Sequence, residues 1–185
     1  MVYEPSEDSY LFSEVLKESV KDKNISALDM GSGSGILAET LINMKIPQEN
    51  ITLADITKEA VNNLRKKFPN SKVIRSDLFS NINGKFDLIV FNPPYLPLDS
   101  KEPKSSQIEI TGGKKGGEII SKFLNNAGAH LNKNGKIFLL VSSLTKSVNF
   151  KNFKIKVLRA KKLFFEELYV LQLEHGYRKK KNHTL

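Results

Sequence analysis

Ile25-Ser26-Ala27-Leu28-Asp29-Met30 is a short apolar run that stops at Gly31-Ser32-Gly33-Ser34-Gly35, after which Ile36, Leu37, Leu41 and Met44 recur at helical spacing. A run of this length ended by glycine reads as a buried strand, and the recurrence reads as an amphipathic helix. Strand, glycine loop, helix is the layout of the first unit of a nucleotide-binding α/β sheet. Glycines let backbone approach a ligand closely, and the helix N-terminus points N–H groups at an anionic group. The spacing Gly-x-Gly-x-Gly, preceded by Asp29, departs from the Gly-x-Gly-x-x-Gly of dinucleotide enzymes. Asp29 is better placed to receive a cationic group than a pyrophosphate.

Downstream the pattern repeats. Ile51 to Ala54 reads as a second strand ending at Asp55, about twenty residues beyond the last glycine, the interval at which an acidic residue meets ribose hydroxyls. Capping is the plainer role for Asp55, but Thr57 already suits the N-cap of the helix carrying Ala60, Val61, Leu64 and Phe68. Lys72 to Arg75 is a third, short strand that delivers Asp77 and Leu78, a carboxylate beside an aliphatic side chain, which suits an adenine pocket. After the Asn83-Gly84 turn, Phe86 to Phe91 is a fourth strand, and it ends in Asn92-Pro93-Pro94-Tyr95. Two prolines fix φ and lack N–H donors, so the chain leaves the sheet in a stiff conformation that holds Asn92 at the strand's carboxyl end. Open α/β sheets bind ligands at that edge. The Asn92 amide, the Pro93 and Pro94 carbonyls and the flat face of Tyr95 are suited to gripping a planar NH2 group, although Asn-Pro-Pro also simply makes turns.

The remaining segments complete one α/β domain. Leu11, Phe12, Val15, Leu16 and Val20 predict a helix from Ser6 to about Val20, with Ser6 as N-cap and Glu7 and Asp8 in its first turn. Pro97 to Glu109 reads as a loop or lid. Thr111-Gly112-Gly113-Lys114-Lys115-Gly116-Gly117 reads as a loop shaped for close approach of a substrate. A helix from about Glu118 to Leu131 is expected next, then a turn at Asn134-Gly135 and a fifth strand, Lys136 to Val141. Alternation around Phe153, Ile155 and Val157, and the run Leu168 to Leu173, predict a closing β-hairpin with Lys161 to Glu166 between its strands. Leu163-Phe164-Phe165 in that turn is expected to be buried. Five strands alternating with helices and then a hairpin give a three-layer α/β fold, with a mostly parallel sheet and one antiparallel strand. The expected organisation is a single domain over 1–177 and a basic, disordered tail over 178–185.

Composition narrows the chemistry. The chain has 185 residues, 39% of them hydrophobic, a net charge of +9, no cysteine and three histidines. Without cysteine there are no disulfides, no thiolate catalysis and no cysteine zinc site, and His130, His175 and His183 are too scattered for a local metal motif. No metal ligand is expected. No stretch approaches the roughly 20 apolar residues of a membrane span, and the acidic N-terminal segment is unlike a signal peptide. A cytoplasmic protein is expected. The charge allows contact with a polyanion, but much of it lies in lysine runs such as Arg178-Lys179-Lys180-Lys181, which are usually solvated.

Asp29-x-Gly-x-Gly-x-Gly, Asp55, Asp77-Leu78 and Asn92-Pro93-Pro94-Tyr95, in that order and each at a strand end, resemble the class I S-adenosylmethionine-dependent methyltransferases. The N-terminal Tyr3-Glu4-Pro5-Ser6-Glu7-Asp8-Ser9, the Asn-Pro-Pro-Tyr motif and Thr111-Gly112-Gly113 to Gly116-Gly117-Glu118 are similar to the HemK family, over nearly the whole chain. The similarity is to its short archaeal and eukaryotic branch, without the N-terminal helical domain of bacterial HemK proteins. The resemblance implies a Rossmann-like, seven-stranded class I methyltransferase fold and methylation of a glutamine side-chain amide nitrogen, in the Gly-Gly-Gln motif of a class I translation release factor. S-adenosylmethionine is the implied cofactor and S-adenosylhomocysteine the product. By the family pattern Asp29, Gly31 and Gly33, with Gly35 closing the loop, hold the methionine part, Asp55 the ribose, and Asp77 and Leu78 the adenine. Asn92 and the Pro93 carbonyl, with Pro94 and Tyr95, hold the substrate amide, and Asn92 also borders the cofactor. Tyr3, Asp8 and Ser9 match the stretch that closes over the cofactor in relatives, with Ser9 where threonine is usual. The short branch also works with a small zinc-binding activator protein.

Rival readings share some of these residues. The same motif serves enzymes that methylate the exocyclic amine of adenine or guanine in DNA or RNA. Net charge favours that reading, while the lack of a target-recognition domain and of a basic aromatic stretch for stacking bases disfavours it. Nucleic acid is therefore not the expected substrate. The short branch has also been linked to lysine methylation, for which the site offers no obvious base. A nicotinamide-dependent oxidoreductase conflicts with the loop spacing and the prolines, and a non-catalytic binding module with the intact glycine loop and Asn92.

Overall fold

A computed structural model describes residues 7–98 and 111–176. Seven strands form one sheet in the order β3-β2-β1-β4-β5-β7-β6: β1 (Ala27–Met30), β2 (Ile51–Asp55), β3 (Lys72–Arg75), β4 (Phe86–Phe91), β5 (Leu131–Ser142), β6 (Phe153–Lys162) and β7 (Glu167–His175). The first five pair in parallel, and β7 runs antiparallel to both β5 and β6. The strand order reverses between β1 and β4, which marks the switch point where such sheets bind ligands. Among the described residues four helices flank the sheet: α1 (Glu7–Ser19), α2 (Ile36–Asn43), α3 (Lys58–Lys67) and α4 (Glu118–Ala127). Among the described residues no helix is long and apolar enough to cross a membrane.

Strand periodicity divides the core in two. Ala27, Leu88, Val90, Phe138 and Leu140 join Leu11, Phe12, Leu16, Leu41 and Leu64, from α1, α2 and α3, on one face. Their neighbours Leu28, Ile89, Phe91, Ile137 and Leu139 join Ile120, Phe123 and Leu124 of α4 on the other. Both faces of the central strands are covered, which is why β4 reads as an unbroken apolar run. Each fully buried Phe or Leu contributes about 1.5–3 kcal/mol. The N-cap role of Thr57 holds: its side chain accepts from the Ala60 N–H. Ser6, the tail over 178–185 and nearly all of Pro97 to Glu109 lie outside the described residues.

Expectations for three segments are corrected. The helix begun at Glu118 ends at Ala127, and a turn of 3-10 helix, Gly128–His130, leads straight into β5. Asn134-Gly135 therefore lies inside β5 rather than before it. The pairing with β4 jumps from Phe86↔Leu131 to Leu88↔Lys136, so the dipeptide sits in a bulge, with Gly135 so near the Phe86 carbonyl that a Cβ would stand 2.8 Å from it. The hairpin turn is shorter than expected, since β6 runs through Lys162, and Phe164 and Phe165 are 101% and 93% exposed. Only Leu163 packs inward.

Candidate active site

The carboxyl ends of β1, β2 and β4 open onto a cavity of about 410 Å³, bordered also by Asp8 and Ser9 of α1 and by Ile119 and Lys122 of α4. Its size suits a small-molecule ligand. Asp29 is the penultimate residue of β1, with 1% exposure. Its Oδ2 accepts from the Ala38 N–H at the start of α2, and its Oδ1 is buried with no hydrogen-bond partner among the described residues. Burial, reinforced by the Asp55 charge and opposed by hydrogen bonds from Ala38 and Ser32, pushes the Asp29 carboxyl up to about 7. An orphaned buried carboxylate oxygen costs roughly 1–3 kcal/mol or more. Such a cost is tolerated where a ligand supplies the missing donor.

Gly31 and Gly33 line the cavity, whereas Gly35 does not. Gly35 sits at φ 80° ahead of α2, and a Cβ there would stand 2.4 Å from Phe68. Packing against α3 requires that glycine, not a ligand. Asp55 lines the cavity and does more than sequence reasoning allots it. Its Oδ2 accepts from Gly33 N–H at 2.9 Å, and its Oδ1 from the Thr57 N–H and hydroxyl at 2.8 and 2.9 Å. Three of about four acceptor positions are thereby used, which leaves room on Oδ2 for one further donor. Leu78 stands at φ 50°, a backbone region a bulky residue rarely adopts, and the Ser76 hydroxyl steadies it by donating to the Leu78 carbonyl. Asp77 Oδ2 is 2.7 Å from Lys122 Nζ. Lys122 is a lining residue that sequence reasoning missed; its spacing of three from Ile119, on the first turns of α4, was the available signal.

Across the cavity, Asn92 leaves β4 with its side chain fixed from behind. Its Nδ2 donates to Asp8 Oδ2 at 3.3 Å and to Ser9 Oγ at 3.4 Å, and the Tyr95 hydroxyl donates to the same Asp8 oxygen at 3.4 Å. Anchoring the NH2 end leaves Asn92 Oδ1 buried without a partner among the described residues. Pro93 is buried in the lining, and Pro94 and Tyr95 border it. Asp8 and Ser9 thus touch the acceptor motif as well as the cavity. Tyr3 lies outside the described residues. The loop Thr111 to Gly117 also differs from expectation. A Cβ on Gly112 would stand 2.6 Å from the Pro94 carbonyl oxygen, and one on Gly116 2.5 Å from that of Tyr95. These glycines admit the backbone of the acceptor motif itself. Asp29 and Asn92, each with one buried side-chain oxygen that has no partner among the described residues, thus line the same cavity.

Comparison with known proteins places this arrangement. The methyltransferase small domain family matches residues 7–164. A Methanocaldococcus jannaschii protein provisionally assigned as a protein N5-glutamine methyltransferase is 37% identical over 182 residues, covering 92% of this chain and 90% of that protein. The release factor glutamine methyltransferase of Streptococcus pneumoniae is 31% identical over 68% of the chain, which spans about half, 48%, of that longer relative. Among solved structures, the Encephalitozoon cuniculi Mtq2-Trm112 complex, described as responsible for methylating the eRF1 termination factor, superposes with a TM-score of 0.71 at 27% identity, covering 95% of this chain and 99% of the matched one. With a family match across nearly all of the described sheet and a relative aligned almost end to end, the chain belongs to the methyltransferase small domain family, in its HemK group.

Proposed function

We propose that this protein is an S-adenosylmethionine-dependent methyltransferase acting on the glutamine amide nitrogen of the Gly-Gly-Gln motif in a class I translation release factor. The observation that carries the reading is Asn92 Oδ1, buried and unpartnered at the carboxyl end of β4. The cofactor fits the opposite wall: Asp29 Oδ1 to receive the ammonium of its methionine part, Gly31 and Gly33 along that part, the free position of Asp55 for a ribose hydroxyl, and Asp77 with Leu78 for adenine. Bound there, S-adenosylmethionine supplies an electrophilic methyl group and leaves as S-adenosylhomocysteine.

The residues' own task is positioning. An amide nitrogen is a poor nucleophile because its lone pair is delocalised into the carbonyl. Asn92 Oδ1 and the Pro93 carbonyl accept its two N–H bonds and hold the nitrogen in one orientation, an effect worth roughly 7 kcal/mol or more in well-oriented reactions. Neither acceptor needs to be a strong base, since the nitrogen becomes acidic on methylation and releases a proton from one of those N–H bonds to solvent. Asp8 keeps the Asn92 amide from flipping. A small zinc-binding activator is the proposed partner, supported by the two-protein assembly of the eukaryotic relative, and the cytoplasm is the proposed location.

The test is incubation with radiolabelled S-adenosylmethionine and, in separate reactions, a class I release factor, its Gly-Gly-Gln Gln→Ala variant, duplex DNA and RNA. Label is expected in the unaltered factor alone. Equal label in the Gln→Ala factor, or label in nucleic acid, overturns the assignment.

A further inference from the structure

Building on the reading of the acceptor as a glutamine in a folded protein, we propose that the tip of the β6–β7 hairpin, Phe164 and Phe165 among lysines, docks that protein through a surface that combines an apolar side chain with acidic groups. The tip is built to present its rings. Leu163 N–H donates to the Glu166 carbonyl at 2.8 Å and closes the turn, Leu163 packs on the core cluster that Tyr95 also contacts, and the two phenylalanines between them stand almost wholly in solvent. Scattered apolar residues on a surface are ordinary, but adjoining aromatic rings at one projecting tip form the kind of anchor that protein interfaces bury.

The tip belongs to the acceptor side of the cavity. β7 is two strands from β4, roughly 10 Å across the sheet, and the turn lies at the same edge as Asn92. Ser142 Oγ is hydrogen-bonded to Glu166, and Ser143 N–H donates to the Glu167 carbonyl at 2.8 Å. In the same connection Thr145 Oγ1 donates to the Tyr95 carbonyl at 3.0 Å. The tip thus stands on the sheet edge from which a glutamine would reach Asn92.

Charge says what kind of surface fits. The tip's carboxylates are engaged within the chain, Glu166 by Ser142 and Glu167 by the Tyr169 hydroxyl at 2.6 Å. Lys114, Lys146 and Lys162 are exposed and make no ion pair among the described residues, and exposed Lys115 stands beside Glu118, whose carboxylate accepts from the Lys115 N–H at 3.0 Å. The Lys146 N–H donates to the Lys115 carbonyl, so those lysines stand on adjoining backbone. Cationic groups around an aromatic anchor complement an apolar patch with acidic neighbours.

The test compares wild type with Phe164→Ser/Phe165→Ser on two substrates, an intact class I release factor and a short Gly-Gly-Gln peptide. KM for the intact factor is expected to rise about tenfold or more, with kcat, peptide KM and S-adenosylhomocysteine affinity unchanged. A photoreactive phenylalanine analogue at position 165 of the otherwise native chain gives a second readout, a crosslink to the release factor. Unchanged KM for the factor, an equal loss with the peptide, or crosslinks only to a second copy of the chain, to RNA or to anionic vesicles overturns the docking role. Wild type that leaves the release factor unmethylated even with the proposed activator added refutes the acceptor assignment; wild type that methylates it, with a variant that does so equally well, refutes only the docking.

Discussion

The two walls of the cavity are assembled differently. On the proposed cofactor side, apart from the Asp77–Lys122 pair, 45 residues apart, the hydrogen bonds join residues close in sequence: Asp29 to Ala38, nine residues apart, Asp55 to Thr57, two apart, and Asp55 to Gly33, twenty-two apart. They form within one strand-helix-strand unit. On the acceptor side Asn92 and Tyr95 reach Asp8 across 84 and 87 residues, and Thr145 reaches Tyr95 across 50. The first wall is a property of a local motif, the second of the whole fold. Cofactor binding and transfer are therefore separable by mutation.

The strongest test of that separation is Asn92→Ala. Loss of a preorganised polar group at a reacting centre lowers kcat by roughly 10²–10³-fold, and calorimetric affinity for S-adenosylhomocysteine is expected to stay near wild type. A parallel loss of affinity would merge the two walls. Asp29→Ala is the mirror case: affinity for S-adenosylhomocysteine falls by about 10- to 100-fold, the range of a lost hydrogen bond to a charged group, while kcat at saturating cofactor persists.

Protonation of Asp29 adds a pH signature. With this carboxyl near 7 in the ligand-free protein and a cationic ammonium favouring its ionised form, cofactor binding displaces a proton. Affinity is expected to be about tenfold weaker at pH 6 than at pH 8, and Asp29→Asn should flatten the profile. Stability of the ligand-free protein runs the other way. Between about pH 4 and 7 the folded chain holds a proton that the unfolded chain has released, so stability falls as pH rises through that window. Thermal melts of wild type and Asp29→Asn, compared at pH 5 and pH 8, measure it.

Smaller effects probe the supports. Asp8→Ala frees the Asn92 amide to flip and should lower kcat by about 5- to 10-fold; a change confined to cofactor affinity would reassign Asp8 to the other wall. Lys122→Met removes a cation that competes for Asp77 and should tighten S-adenosylhomocysteine by about twofold, since exposed ion pairs are weak. Loosening on substitution would instead make Lys122 an orienting group.

The same contrast explains what could be read from the chain. β3 and β4 and the Thr57 cap were legible because apolar runs, strand ends and capping chemistry are local signals, and Asp29, Asp55, Asp77 and Asn92 each sit at a strand end. The bulge at Gly135 was not, because Asn-Gly signals a turn unless a neighbouring strand supplies pairing, and the flanking pairs Phe86↔Leu131 and Leu88↔Lys136 join residues 45 and 48 apart in the chain. The exposure of Phe164 and Phe165 was missed because hydrophobicity predicts burial only on average. The Asp8–Asn92 contact has no local trace, and the glycines at 112 and 116 announce close approach without naming what approaches. Sequence reasoning supplied a substrate; the structure supplies the carbonyls of Pro94 and Tyr95.

The position of β7 has a consequence for the order in which the sheet is completed. β6 emerges from the ribosome before β7, yet in the sheet it touches β5 only through β7. Until Glu167–His175 is synthesised, β6 has no neighbour to pair with, and α1 lacks the ion pairs that Glu7 and Glu18 make with Lys161 and Arg159 of that strand. Asp29, Gly31, Gly33, Asp55 and Asp77 all precede β4 in the chain, whereas Lys122, which pairs with Asp77, follows it. The last described strand to be made is therefore the one that joins β6, and with it the two ion pairs to α1, to the rest of the sheet.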